Sequence, residues 1–252
     1  MADWRHEILR HTTTMRYQTI FLDAGGVLVC PNWDRAAETL GRHGVRVDAA
    51  TLAAAEPAVK RQLDVAHTVR ATNDEQRGFL YFDLILKGAG ISRTARSDAA
   101  LAELKTFHDR ENTWDAMPAD VIPALRRLKG AGLRVVVVSN TSPTLRRAFS
   151  RLGIEPFLDL VIASDEEGVE KPDPRLFHIA LERSGAAPET TIHCGDLYEI
   201  DIVGAWAAGL PAVLLDSAGV YQGLNCPRVA TMTELTDGLL AGRFDSEGAG
   251  AR

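Results

Sequence analysis

Short apolar runs and longer amphipathic stretches alternate along most of this chain. The runs have the length of β-strands, and those after the first are separated by segments whose apolar residues recur at helical spacing. Such alternation is typical of parallel βαβ units, in which helices cover a buried sheet. The predicted strands are residues 17–22, 134–138, 158–163, 191–194 and 211–215.

A long interruption follows the first strand. Between residues 28 and 117 the strand pattern disappears, and helical spacing takes its place. We therefore predict an all-α insert at residues 32–115, in a core formed by residues 17–31 and 116–242. An N-terminal extension is predicted at residues 1–16 and a disordered tail at residues 243–252. The helices predicted in the insert are residues 34–41, 49–63, 72–87 and 96–109.

Local signals mark several helix ends. Asn73 with Gln76 three residues later has the spacing of a capping box. Ser142 before Pro143 predicts an N-cap with proline at the first helical position. Gly130 and Gly153 are expected to close their helices.

Composition narrows the class of protein. The 252 residues are 46% hydrophobic, enough to fill a sizeable α/β interior. A net charge of −6 and the lack of a basic run interleaved with aromatic residues disfavour nucleic acid as a partner. Three scattered cysteines fit a reducing compartment, and no apolar run has the length of a membrane span. We expect a cytoplasmic protein with no membrane partner.

Polar residues follow several of the predicted strands. Asp23 enters the glycine-rich loop that contains Gly25 and Gly26, and Ser139 and Asn140 follow the second strand. In an open parallel sheet the carboxyl ends of strands meet near the switch in strand order, so residues distant in sequence can share one crevice. Lys171, Asp196 and Asp201 come after later strands and can reach the same place.

These motifs together resemble the haloacid dehalogenase superfamily of aspartate-nucleophile hydrolases. The motifs are the loop 23–26, Ser139-Asn140, Lys171-Pro172 and Asp196 through Asp201, and the helical insert lies where that superfamily carries its C1 cap. The resemblance implies a Rossmann-like, doubly wound parallel sheet. It also implies a phosphatase that acts on a small phosphorylated metabolite through an aspartyl-phosphate.

The resemblance assigns a role to each residue. Asp23 is the expected nucleophile, and Ser139, Asn140 and the N–H groups of residues 24–27 are expected to bind phosphate. Lys171 is expected to supply positive charge and to keep Asp23 ionised. Mg²⁺ is the expected cofactor, because it prefers oxygen ligands. Its predicted ligands are Asp23, the Gly25 carbonyl, Asp196 and, directly or through water, Asp201.

One position departs from the family pattern. Phosphatases of this superfamily usually carry a second acid two residues after the nucleophile, where this chain has Gly25. Leaving groups that depart unprotonated, a substitute acid from the insert, or slow turnover would each be consistent with its loss. The candidate substitutes are His67, His108 and Asp115.

Other functions stay open at this point. The chain could be a phosphate-binding regulator with vestigial catalysis, a 2-haloacid dehalogenase, or a carbon–phosphorus bond hydrolase that uses a lysine of the insert. Asp196 and Asp201 argue against the dehalogenase, which abandons these acids. The insert lysines are Lys60, Lys87 and Lys105, and Trp33 is a further candidate for substrate contact.

Overall fold

A computed structural model describes residues 15–245 and shows a parallel six-stranded sheet flanked by helices. The predicted α/β, Rossmann-like class is confirmed. The strand order is β3-β2-β1-β4-β5-β6. Strands β2 and β3 therefore lie on one side of β1, and β4 to β6 lie on its other side, so the switch in strand order is at β1. The strands are β1 (Thr19–Leu22), β2 (Arg134–Ser139), β3 (Leu160–Ala163), β4 (Thr191–Gly195), β5 (Ala212–Leu215) and β6 (Arg228–Val229).

The middle strand is buried on both faces. Every residue of β1 is buried, and Leu22 lies beside Val137 of β2 and Cys194 of β4. Continuous apolar runs are what a parallel sheet covered on both sides requires. Asp23 follows Leu22 directly, so the switch in strand order places it at the carboxyl edge between two neighbouring strands.

The core helices cover the two faces of the sheet. One hydrophobic cluster joins β1 to α6 and α11, and a second joins β2 to α9 and α10. A five-residue π-helical segment, Tyr198–Ile202, leads into α10. The helices are α6 (Val121–Gly130), α7 (Thr144–Leu152), α8 (Ser164–Glu167), α9 (Pro174–Ser184), α10 (Val203–Ala207) and α11 (Met232–Leu240).

Five helices lie between β1 and α6, and all but the third share a hydrophobic cluster of their own. The two connections to the core run together, because Cys30 and Ala116 form a β-bridge. We refer to the region between them as the helical insert; its boundaries at 32 and 115 remain a prediction. Its helices are α1 (Trp33–Arg42), α2 (Ala49–Leu63), α3 (Ala66–Ala71), α4 (Asp74–Gly88) and α5 (Ala95–Glu111).

Most local signals in the insert agree with the structure. Helix α2 has the predicted bounds, and the capping box of Asn73 and Gln76 is present in both directions. The prediction missed α3, which lies between two predicted helices, because six residues are too few to show a helical period.

Two predicted helix ends need correction. Ser142 does not cap α7; Pro143 is the N-cap residue, and the Ser142 hydroxyl instead pairs with Thr144 Oγ1 at 2.7 Å. Gly130 is the last residue of α6 rather than its cap, and Gly132 adopts the left-handed conformation there with φ 85°. Gly153 closes α7 in the left-handed conformation, as predicted.

The predicted terminal segments lie mostly outside the described residues, which exclude 1–14 and 246–252. The first residues of the predicted tail are ordered, however. Phe244 is 1% exposed, and its carbonyl accepts a hydrogen bond from the Tyr17 hydroxyl at 3.1 Å. The packed chain therefore extends at least to Asp245. In the described part of the chain, no helix is both long and apolar enough to cross a bilayer.

Candidate active site

The first strand brings Asp23 to the carboxyl edge of the sheet. Its N–H donates to the Cys194 carbonyl at 2.9 Å, which continues the contact with β4 beyond the end of β1. The side chain is buried yet lines a cavity beneath the helical insert. Asp23 therefore presents its carboxylate to this cavity.

The glycine loop after Asp23 is a tight turn. The Gly26 N–H donates to the Val29 carbonyl at 2.7 Å, and the Val27 N–H donates to the Ala24 carbonyl at 3.4 Å. These two groups were predicted to face a phosphate, but they are committed to the turn. Ala24 and Gly25 contribute no N–H to the hydrogen bonds of the turn, and their amides are the ones left for an anion.

Lys171 lies between two acids. Its Nζ is 2.7 Å from Asp23 Oδ1 and 2.6 Å from Asp201 Oδ1, and the residue is 1% exposed. Burial lowers the pKa of Lys171, but the two carboxylates more than offset this effect and the net pKa is raised. Lys171 is therefore held as a cation beside the predicted nucleophile.

Asp201 is fully engaged by the protein. Its Oδ1 contacts Lys171 and also His193 Nε2 at 3.3 Å, and its Oδ2 accepts the Leu197 N–H at 3.0 Å. Burial raises the pKa of Asp201, but Lys171 and His193 reverse this and lower it overall. With both oxygens occupied, Asp201 holds the lysine and the loop after Asp196 in place.

The acids at this site repel one another. One carboxylate oxygen from each of Asp23, Asp196 and Asp201 lies within 4.8 Å of the others, and all three residues are buried. Burial raises the pKa of Asp196 to about 7 and also raises the pKa of Asp23, although Lys171 opposes the shift at Asp23. Lys171 therefore offsets only part of the effect of burial on the pKa of Asp23. A divalent cation would balance the charge of these acids, and buried carboxylate oxygens are donors that Mg²⁺ prefers.

Asn140 supports Lys171 rather than facing the cavity with a free amide. Its Oδ1 accepts the Lys171 N–H at 2.7 Å, and its Nδ2 donates to the Lys171 carbonyl at 2.9 Å. Ser139 is the last residue of β2 and lines the cavity, where its hydroxyl lowers the pKa of Asp23, an effect outweighed by burial. Ser139 is thus placed to contact a ligand, whereas the Asn140 side chain fixes the lysine loop.

A cation from the helical insert also enters the site. Lys60 of α2 places Nζ 2.5 Å from Asp196 Oδ2 and 3.5 Å from Glu56 Oε1. Burial lowers the pKa of Lys60, but Asp196 and Glu56 together raise it overall. Neither the role of Glu56 nor the contact between Lys60 and Asp196 was predicted. The four-residue spacing of Glu56 and Lys60, which places both side chains on one face of α2, was the available sequence signal.

Two further acids join the insert to the core. Glu170 Oε2, one residue before Lys171, accepts the N–H of Asp74 at the start of α4 at 2.9 Å, and its Oε1 is 3.2 Å from Arg77. In the opposite direction, Asp64 at the end of α2 accepts N–H groups of the core loop that follows Asp196. We call these contacts the Glu170 clamp and the Asp64 clamp.

The Asp64 clamp has three donors. The N–H groups of Tyr198 and Glu199 donate to its carboxylate at 2.6 and 2.9 Å, and the Tyr221 hydroxyl donates at 2.7 Å. Burial raises the pKa of Asp64 to about 6 although these hydrogen bonds oppose it. Sequence patterns gave no signal for either clamp, because both depend on contacts between distant segments.

A cavity of about 1260 Å³ lies between the insert and the carboxyl edge of the sheet. Trp33 does not line it, although it was predicted to contact substrate; its ring lies behind Tyr81, with centroids 6.3 Å apart. The predicted residues that do line it are Asp23, Gly25, Gly26, Ser139, Asn140, Lys171, Asp196 and Asp201.

The three substitute acids have different positions. Asp115 is held in the linker by Arg35 at 2.8 Å and Asn32 at 3.0 Å, and it does not line the cavity. His67 is exposed and also lies outside the cavity lining. His108 lines the cavity, but its Nδ1 contacts Thr113 Oγ1 at 2.9 Å.

The family assignment follows from the sequence as a whole. Residues 17–209 match the model of the haloacid dehalogenase-like hydrolases. The chain belongs to this family. The matched region contains the glycine loop after Asp23, the helical insert, Lys171 and both acids after β4, so all the motifs that suggested the resemblance fall within it.

Curated relatives of this hydrolase include phosphatases. It is 34% identical over 146 residues to glyceraldehyde 3-phosphate phosphatase of Methanopyrus kandleri, a match covering 58% of this chain and 61% of that protein. It is 34% identical over 128 residues to haloacid dehalogenase-like hydrolase domain-containing protein 3 of Bos taurus, covering 50% of each chain. Both matches therefore span less than two thirds of the relative's own length.

Solved structures of the family share the fold of this hydrolase. The magnesium-bound HAD-hydrolase YfnB of Bacillus subtilis aligns with a TM-score of 0.67 at 17% identity, over 89% of this chain and 99% of that one. The L-2-haloacid dehalogenase RSc1362 aligns with a TM-score of 0.63 at 18% identity, over 88% of this chain and 98% of that one. Likeness at this identity concerns the fold alone.

Proposed function

We propose that this hydrolase is a Mg²⁺-dependent phosphatase that acts on a small phosphorylated metabolite through an aspartyl-phosphate. The observation that carries the proposal is the position of Asp23, whose carboxylate lies at the cavity beside Lys171 and within 4.8 Å of two further buried acids. Relatives named as phosphatases support the same activity.

In the proposed reaction, an Asp23 oxygen attacks phosphorus in line with the leaving group. The new oxygen–phosphorus bond forms as the bond to the leaving oxygen breaks, and water then hydrolyses the aspartyl-phosphate. Phosphoryl transfer depends on positioning and on neutralising charge over the equatorial oxygens. Lys171, the Ser139 hydroxyl and the N–H groups of Ala24 and Gly25 are the donors that we assign to those oxygens.

Asp23, Asp196 and the Gly25 carbonyl are the ligands that we propose for Mg²⁺, and Asp201 supports them through Lys171 and the Leu197 N–H. The bound cation would balance the charge of the clustered acids and of the phosphate. The proposed partner is the small phosphorylated substrate, in the cytoplasm. The net charge of −6 offers no support for nucleic acid.

A screen of phosphorylated metabolites with and without Mg²⁺ tests this function, and it should include 2-chloropropionate and phosphonoacetaldehyde. We expect phosphate release that requires Mg²⁺ and stops on chelation. The Asp23→Asn variant should lose at least 10³-fold in kcat, on the order expected for a missing nucleophile, with a circular dichroism spectrum that shows an intact fold. Full activity in excess chelator, or in Asp23→Asn, would contradict the proposal, and saturable phosphate binding without turnover would favour a regulator.

The position of Lys60 favours a second candidate, a carbon–phosphorus bond hydrolase. Such an enzyme needs a lysine amine in the site to condense with an aldehyde, and Lys60 lies at the cavity beside Asp196. In this case phosphonoacetaldehyde would be the best substrate of the screen. Borohydride added during turnover would then trap the substrate on Lys60 and inactivate the protein.

A further inference from the structure

The place of the missing acid is taken by an aromatic ring. A Cβ added to Gly25 would lie 3.5 Å from Trp114 Nε1 and 3.6 Å from Trp114 Cδ1. A side chain at this position would therefore point at the edge of the indole. Asp115 and His67 lie outside the cavity lining, so neither replaces an acid at Gly25; His108 lines it, but burial lowers the pKa of its imidazole and Nδ1 is paired with Thr113.

Lys60 approaches the same loop from the opposite side. Its Nζ would be 2.8 Å from a Cβ added to Gly26, the next residue, and it is 2.5 Å from Asp196 Oδ2. An in-line attack by Asp23 drives the leaving group away from the sheet edge and toward the helical insert. Lys60 extends from the insert into the cavity that Asp23 lines, which puts its ammonium in the space that a departing group enters.

Tyr81 of α4 provides a second group on that side. Its hydroxyl is buried and no described residue reaches it with full hydrogen-bond geometry, although the Glu56 carboxylate is near enough to raise its pKa; the residue is 8% exposed. The carboxylates of Glu56 and Asp196 act on it electrostatically, as they do on Lys60. A buried hydroxyl without a partner costs free energy, which a ligand oxygen can recover.

We propose that Lys60 and the Tyr81 hydroxyl stabilise the negative charge on the departing oxygen, so that the enzyme prefers substrates whose leaving group departs as an anion, namely acyl phosphates. The inference rests on the proposed phosphatase function. Asp23 forms the bond to phosphorus, the phosphorus–oxygen bond breaks, and its electron pair stays on the leaving carboxylate. No proton is transferred in this step, which agrees with the absence of an acid at Gly25.

Rates on a leaving-group series test the proposal. With Mg²⁺, we expect kcat/KM for acetyl phosphate to exceed that for glycerol 3-phosphate by at least 10²-fold, since alkoxide departure without a proton donor is slow. In Lys60→Met, kcat should fall about 10²-fold, as when an oxyanion donor is removed. The loss should grow along substituted phenyl phosphates as leaving-group pKa rises, because poorer leaving groups depend more on stabilised charge.

Controls separate this role from a structural one. Lys60→Arg keeps the charge and should retain the wild-type slope against leaving-group pKa. Lys87→Met alters an exposed lysine of α4 outside the cavity lining and should match the wild type in rate and slope. A melting curve checks that Lys60→Met is folded, and a Mg²⁺ titration checks that it still binds the metal ion.

Two results would overturn the proposal while leaving the phosphatase intact. One is a plot of log rate against leaving-group pKa that has the same slope for Lys60→Met as for the wild type, which would mean that the lysine does not act on the leaving group. The other is glycerol 3-phosphate turning over as fast as acetyl phosphate. Absence of wild-type turnover on all of these substrates would instead overturn the proposed function and this inference with it.

Discussion

Replacement of Lys171 by methionine should destabilise the protein far more than the loss of an ordinary ion pair. Lys171 is 1% exposed and joins Asp23 and Asp201 at 2.7 and 2.6 Å. Methionine fills much the same volume but leaves two buried carboxylates without their cation. Removing one partner of a buried pair costs about 3–5 kcal/mol, because the remaining charge stays desolvated.

Urea unfolding at pH 7 without Mg²⁺ measures this cost. We expect the free energy of unfolding of Lys171→Met to fall by about 3–5 kcal/mol with little change in the denaturant slope. Lys129→Met is the matched control, because Lys129 Nζ contacts Asp159 at 2.6 Å in a partly exposed pair. Its loss should stay below about 1 kcal/mol.

Magnesium provides a second comparison. A cation that binds the acids of the folded state stabilises it by about 2.7 kcal/mol at 100 times its Kd. Saturating Mg²⁺ should therefore recover part of the stability that Lys171→Met loses, and it should not change the loss in Lys129→Met. A loss below about 1 kcal/mol in Lys171→Met, or equal losses in the two variants, would refute the reasoning about buried charge.

Two further predictions concern the glycine loop and the Asp64 clamp. Gly26→Ala should lower kcat/KM at least 10²-fold, because the added Cβ would overlap the Asp196 carboxylate. Gly90→Ala is the control: its φ of 74° is close to the 73° of Gly26, but the space around it is open, so kcat/KM should stay within about two-fold of wild type. Equal losses in the two variants would refute the steric cause. In Asp64→Asn, the stability relative to wild type should change with pH. Burial raises the folded pKa of Asp64 from 3.8 to about 6, so its protonation stabilises the fold below pH 4 and this contribution is lost as the pH rises to about 6. The wild type should thus gain up to about 3 kcal/mol over the variant between pH 6.5 and 4 in urea unfolding, and a constant difference would show that Asp64 does not titrate there.

The strands and long helices were predictable because their signals are local. Five apolar runs became five strands, and the fifteen-residue α2 has the expected bounds. β6 has only two residues, Arg228 and Val229, and was missed because no periodicity can be seen over that length. Phe244 was assigned to a disordered tail because its burial depends on Tyr17, which is 227 positions earlier in the chain.

The site divides in the same way. The sequence was enough to predict that Asp23, Ser139 and Asp196 lie close together, because the carboxyl ends of the strands of a parallel sheet meet at one edge. The contacts of Lys60, Asp64 and Glu170 could not, since they depend on how the insert packs over that edge. Trp33 was misplaced for a related reason: its position next to the loop was clear, but the direction of its side chain was set by packing against Tyr81.

The two clamps have a consequence for engineering by domain exchange. Glu170 is part of the core but completes the start of α4, and Asp64 is part of the insert but holds the turn after Asp196. A chimera whose insert lacks these partners would leave the Glu170 carboxylate without donors and the turn after Asp196 without its acceptor. Grafts that carry an acid at position 64 and a basic partner for Glu170 at position 77 should therefore keep their turnover, whereas grafts chosen only for their pocket should express well and react slowly.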